Sequence, residues 1–154
     1  MNSDLMFSQK TDVWGTPQHV FDVLHAEFGF TLDPCTNGEN AKCGKFYTEK
    51  EDGLAQDWGT EVVFMNPPYS DCKGWMKKAI ESAKAGATVV CLVPARTDTK
   101  WWHEYAMNGE IRLIKGRLKF GDAKGNAPFP SAVIVFRRGL EVVEKLSVQS
   151  FKND

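Results

Sequence analysis

Short apolar runs that stop at a proline alternate along this chain with segments of helical spacing. Val62–Met65 (VVFM) runs into Asn66-Pro67-Pro68-Tyr69, Thr88–Val93 (TVVCLV) stops at Pro94, and Phe30-Thr31-Leu32 stops at Asp33-Pro34. Runs of unbroken apolar character are strands covered on both faces. Between them, Val20, Phe21, Leu24 and Phe28, and later Trp75, Met76, Ala79, Ile80 and Ala83, recur at helical intervals. Covered strands alternating with amphipathic helices predict a doubly wound, mostly parallel α/β sheet.

The remaining elements follow from local chemistry. Pro17 suits the first turn of a helix with Thr16 as its cap, and Gly29 ends it. Lys45 to Thr48 is a weak strand signal, and Thr99 to Met107 a second helix after the one ending near Gly86. Ile111–Ile114 and Ala132–Phe136 are the last clear strands. No helix is expected between these two, which predicts an antiparallel edge strand. The tail after Gly139 is expected to be peripheral, so residues 1–154 form one domain with its core over 13–139 and a tail over 140–154.

The 19 basic and 20 acidic side chains leave a net charge of −1, so any nucleic-acid surface has to be a local patch. No run reaches the roughly 18 apolar residues of a membrane span. The N-terminus MNSDLMFSQK has no apolar signal core, so a cytoplasmic location is expected. Cys35, Cys43, Cys72 and Cys91 form no CxxC pair and match no zinc spacing, which predicts reduced, mostly buried thiols. His19, His25 and His103 are given no catalytic role.

In doubly wound sheets, ligands bind beyond the carboxyl ends of the strands. Three loops therefore carry weight: those starting at Asp33-Pro34-Cys35, at Asn66-Pro67-Pro68-Tyr69 and at Pro94-Ala95-Arg96. In the second, the Asn66 amide oxygen and the Pro67 carbonyl are acceptors, and the prolines fix a path on which both converge. Tyr69 adds a flat face for a planar group. The set suits an exocyclic amino group on an aromatic ring, such as N6 of adenine. Two acceptors on its hydrogens favour a tetrahedral nitrogen with an available lone pair and aim it at an electrophile.

Asn66-Pro67-Pro68-Tyr69 resembles the catalytic motif of amino-methyltransferases that use S-adenosylmethionine. The wider chain is similar to the phage and prophage DNA N-6-adenine methyltransferase (Dam) family. The likeness runs from about Trp14 to Phe136 through WGTP, LDPC, DGL, NPPY, VPARTDT and APFPS. It implies a minimal Rossmann-like, S-adenosylmethionine-dependent methyltransferase fold and a DNA adenine-N6 methyltransferase that needs no metal. Double-stranded DNA would be the partner, with no membrane and no obligate protein partner, in a bacterial or phage-infected cell. Trp14, Thr16 and Pro17 would border the methionine end of the cofactor, and Asp33, Pro34 and Cys35 would form the loop beneath it. Asp52 would accept a hydrogen bond from the adenosine part. Asn66 and Pro67 would hold the target amino group, with Pro68 in the same catalytic motif; Tyr69 would stack on the base, and Phe129 would pack on its other face.

One departure is the loop DPCTNGEN, which is not a tight glycine-rich turn. With about 28 residues between Asp33 and Val62, one βα unit is expected to be reduced or lost, with no room for a separate target-recognition domain.

Plainer readings compete with several of these roles. Asp33 and Asp52 are natural turn acids, Trp14 could cover the core, and Trp101-Trp102 reads as packing. The basic run Arg112, Lys115, Arg117 and Lys119, together with Arg96, is either a solvated face or a set of phosphate contacts. The motif alone leaves RNA adenine, cytosine N4 or protein glutamine as other acceptors. A non-catalytic nucleic-acid-binding module of the same fold is a rival of another class. No GxGxxG follows the first strand, which disfavours a dinucleotide oxidoreductase.

Overall fold

The computed structural model describes residues 15–120, 125, 127–142 and 144–151. Among them seven strands form one sheet: β1 (Leu32–Asp33), β2 (Lys45–Phe46), β3 (Val62–Met65), β4 (Thr88–Pro94), β5 (Glu110–Ile114), β6 (Ser131–Phe136) and β7 (Leu146–Gln149). Their order is β2-β1-β3-β4-β6-β5-β7. The α-helices are α1 (Gln18–Phe28), α2 (Cys72–Lys84) and α3 (Lys100–Glu104). β2, β1, β3 and β4 are mutually parallel, β6 is antiparallel to both β4 and β5, and β7 is parallel to β5.

The unbroken apolar runs have the cause expected of them. Val63 and Met65 of β3 and Val89, Cys91 and Val93 of β4 pack on one face, in one cluster with Met76, Ala79 and Ala83 of α2. The residues between them, Phe64, Val90 and Leu92, turn to the other face and meet Val20, Phe21 and Leu24 of α1. Fully covering each large side chain contributes about 1.5–3 kcal/mol. A polar residue anywhere in these runs would face a helix rather than water.

Between β1 and β3 the chain forms no α-helix, only β2 and a 3-10 turn, Gly53–Ala55. The shortening expected from the count of residues there takes this form.

The antiparallel strand differs from expectation in its place. β6 lies inside the sheet, and the edge belongs to β7, which comes from the supposedly peripheral tail. Ile111↔Leu146 through Ile114↔Gln149 set β7 in register beside β5, and Ile111 N–H and Lys115 N–H donate to its carbonyls at Lys145 and Gln149. The tail thus satisfies backbone groups that an edge strand would leave to solvent. Leu146 and Val148 are exposed on its outer face, so burial writes no clear strand pattern into this segment.

Arg112 also departs from expectation, because it is not part of a phosphate-facing run. It is buried, with Nε donating to Glu110 Oε2 at 2.7 Å and both terminal nitrogens donating to the Glu27 carboxylate at 2.7 Å. Arg137 Nη2 donates to Glu110 Oε1 at 2.9 Å. Both guanidinium groups lie over the Phe28 ring, at 5.4 and 5.6 Å from its centroid. The Glu110 carboxylate is 5% exposed and would be costly to bury without these partners. Among the described residues no helix is long and apolar enough to cross a membrane.

Candidate active site

The carboxyl ends of β1, β3, β4 and β5 point to one edge of the sheet, and β6, running the other way, starts there. The loops at Pro34, Asn66, Ala95 and Lys115, and the loop before Ser131, therefore share that edge. Asn66 follows β3 directly and is buried, as is Pro67.

The Asn66 Nδ2 donates to Thr16 Oγ1 at 2.9 Å, a bond between residues far apart in sequence. Thr16, also buried, does not cap α1. Pro17 occupies the cap position, and its carbonyl accepts from Val20 N–H and Phe21 N–H at 3.1 and 3.2 Å. The Thr16 hydroxyl is thereby turned toward the strand-end loop instead of its own helix.

Asp33 is the last residue of β1 and is buried. Its carboxylate accepts from Lys42 N–H at 2.9 Å and Cys35 N–H at 3.4 Å, pinning both ends of the DPCTNGEN loop. Burial pushes its pKa up, and these two N–H donors oppose the rise. The Asp33 carboxylate thus shapes the loop that follows it, as a turn acid does.

Next to that loop lies a cleft of about 830 Å³. Pro34 and Cys35 line one wall, Asp52 and Gly53 another, and Pro68 and Trp75 a third. Asp52 is exposed and sits in the left-handed region, at φ 58°, with Oδ1 accepting from Leu54 N–H at 3.2 Å. Asp52 also lines the cleft, and a carboxylate has acceptor capacity beyond this one bond.

Gly53 is required by space. A Cβ built there would lie 2.1 Å from the Pro34 carbonyl oxygen and 3.0 Å from the Trp75 ring. The buried Trp58 indole N–H donates to the Gly53 carbonyl at 2.9 Å and holds the approach closed. Gly53→Ala is expected to cost about 1–3 kcal/mol and to weaken binding in the cleft. Chemical denaturation checks the first effect; an unchanged midpoint would mean that the two loops slide apart freely.

Tyr69 does not stand as an open platform. Its ring meets Phe129 edge to face, with centroids 5.3 Å apart at 76°, and Phe120 at 6.5 Å and 89°. A base between two ring faces needs them roughly twice the 3.4 Å stacking rise apart, so Tyr69 and Phe129 as placed touch each other rather than bracket a slot. Burial pushes the Tyr69 phenol up and keeps it neutral.

Arg96, Lys115, Arg117 and Lys119 are exposed on this same edge, after β4 and β5. Trp14 lies outside the described residues. Trp102 is buried against the core and Trp101 packs on it at 5.8 Å, in keeping with the packing reading.

Three contributors have no role among the sequence expectations: Gly53, which enters there only within the DGL motif, Trp75 as a cleft wall, and Phe120. Phe120 had a signal, since Leu118 and Phe120 are buried while Lys119 between them is exposed. That alternation was masked by the charges around it.

With this geometry in view, the comparisons with known proteins are direct. A sequence profile of the DNA N-6-adenine-methyltransferase (Dam) family matches residues 3–153. The chain belongs to that family. It is 35% identical over 131 residues to the DNA N-6-adenine-methyltransferase of Escherichia phage T1, covering 83% of this chain and 55% of the phage protein. It is 32% identical over 114 residues to the DNA N-6-adenine-methyltransferase of Haemophilus phage HP1, covering 71% of this chain and 66% of that protein. The chain thus spans little more than half the length of the T1 relative. Its mixed, mostly parallel sheet is a Rossmann-like methyltransferase fold.

Proposed function

We propose that this chain is a small DNA adenine-N6 methyltransferase that uses S-adenosylmethionine. The observation carrying this reading is Asn66, a buried amide held by Thr16 at the end of β3, beside the cleft of about 830 Å³. That volume falls within the roughly 300–1,000 Å³ of small-molecule sites. The lining fits the cofactor's chemistry: Pro34, Pro68 and Trp75 give apolar surface for a purine, and Asp52 gives an acceptor for hydroxyl groups. Asp33 and Cys35 line the small space beside Thr16, and Pro17 follows Thr16 at the start of α1, on the cofactor's side. When bound, S-adenosylmethionine supplies an electrophilic methyl group.

The chain's own residues prepare the acceptor. Asn66 Oδ1 and the Pro67 carbonyl accept hydrogen bonds from the two N–H groups of the adenine amino group, and Pro68 holds their convergence by fixing the backbone. These fixed dipoles lie in a water-poor position, where they are most effective. Tyr69 stacks on the base once it enters, and the Phe129 and Phe120 rings move from its edge to admit it. The adenine reaches the pocket by leaving the duplex stack. Arg96, Lys115, Arg117 and Lys119 meet phosphates as a local patch, so binding weakens as salt rises.

The test is tritiated-methyl transfer from labelled cofactor to unmethylated duplex DNA, followed by digestion to nucleosides. Label in N6-methyladenosine is expected. Cofactor binding with no label in DNA, and label instead in RNA or protein, would overturn the substrate. Absence of cofactor binding would favour the non-catalytic module.

A further inference from the structure

We infer that Thr16 is the positioning residue of Asn66: its hydroxyl holds the plane of the amide, with the amino corner on Thr16 and the carbonyl corner toward the target. This rests on the proposed methyl transfer and assigns a separate task within it.

An asparagine amide is nearly symmetric in shape and opposite in chemistry at its two corners. Turned over, Asn66 would offer N–H donors to an adenine amino group that itself only donates there, and the contact would become repulsive. The 2.9 Å bond from Nδ2 to Thr16 Oγ1 anchors the amide by its amino corner, with Oδ1 at the opposite corner of the same plane.

Both partners are almost fully buried, at 9% and 8% exposure, so water does not compete strongly for either. The space beside them is small. Thr16, Asp33, Phe64 and Asn66 border a cavity of only about 10 Å³, close to the volume of one water molecule. The amide has little room in which to swing.

Thr16 is itself held on a rigid element. Pro17 begins α1, and Val20, Phe21 and Leu24 bury that helix against the sheet. A hydroxyl on a packed helix entrance meets an amide on a packed strand exit, so the bond ties two parts of the core together across the site. This also accounts for a threonine at a helix start whose hydroxyl does not cap the helix.

The test compares Thr16→Val, which keeps the shape and removes the hydroxyl, with Thr16→Ser, which keeps the hydroxyl. Heteronuclear NMR of the full chain follows the Asn66 side-chain amide, assigned by its loss in Asn66→Ala. In wild type and Thr16→Ser that amide is expected to exchange slowly with solvent, and in Thr16→Val at least about tenfold faster, as for an amide released from its buried bond.

In the transfer assay, Thr16→Val is expected to lose about 10²-fold in kcat, as for a misplacement near 1 Å, with KM for the cofactor unchanged and Thr16→Ser largely restored. Equal exchange in the valine and serine variants overturns the inference. So does a rise in KM at unchanged kcat, which would make Thr16 a cofactor contact only. If the wild-type chain transfers no methyl to DNA, the proposed function fails, and the exchange comparison still decides whether Thr16 positions Asn66.

Discussion

Asn66→Ala is expected to lower kcat for methyl transfer by about 10²–10³-fold, the effect of removing one preorganised group from a developing charge, while cofactor affinity stays within about twofold. The separation of effects follows from position. Asn66 follows β3, whereas Pro34, Gly53, Pro68 and Trp75 are among the residues lining the cleft and Asn66 is not. Alanine removes Oδ1 and the Nδ2 bond to Thr16 but leaves the Pro67 carbonyl, so a residual rate is expected. Single-turnover transfer with labelled cofactor, alongside calorimetric titration of the cofactor alone, separates the two quantities. Full activity in this variant would remove the proposed mechanism.

The second large effect concerns stability. Arg112→Ala is expected to destabilise the fold by about 3–5 kcal/mol, because it leaves the buried Glu110 carboxylate with Arg137 alone. For a chain of this length that lowers Tm by about 10 °C. Activity per folded molecule should persist, since Glu110 opens β5 and Arg137 follows β6, at the sheet edge opposite Asn66.

The pH dependence of this network has a definite sign. Arg112 holds the Glu27 carboxyl below its ordinary value of 4.5, chiefly through their hydrogen bonds. Glu27 therefore adds stability that is fully present above that ordinary value and is lost as pH falls through its lower, folded value. Thermal melts of wild type and Glu27→Gln should differ at neutral pH and converge in acid. A gap that stays constant into acid would mean that the ion pair contributes nothing beyond packing.

What the chain discloses in one dimension depends on whether the cause is local. β3, β4 and β6 are legible because both of their faces are covered, which forces an unbroken apolar run. α2 is legible because its buried residues, Trp75, Met76, Ala79, Ile80 and Ala83, repeat at the helical period. The Asn66–Tyr69 tetrapeptide is legible because prolines cannot continue a ladder. Arg112 was misread among neighbouring cations because its partner Glu27 is 85 residues away. Thr16 was misread as a cap because threonine before proline is a local helix-start pattern, and its true partner, Asn66, lies 50 residues away, just past β3. β7 gave little signal because Leu146 and Val148 face solvent, so nothing in their surroundings demands an apolar or polar pattern.

The missing helix between β1 and β3 has a consequence for how the molecule breathes. β2 is two exposed residues long, and its corner of the sheet is fastened by the Asp33 carboxylate, the Gly53–Pro34 contact and the Trp58 indole rather than by a helix of its own. Such a corner opens at a lower free energy than the helix-covered strands beside it. The cleft is built from that corner, so a molecule filling it would act as the absent layer. Amides around β2 would then report occupancy through slowed hydrogen exchange, long before the rest of the sheet registered any change.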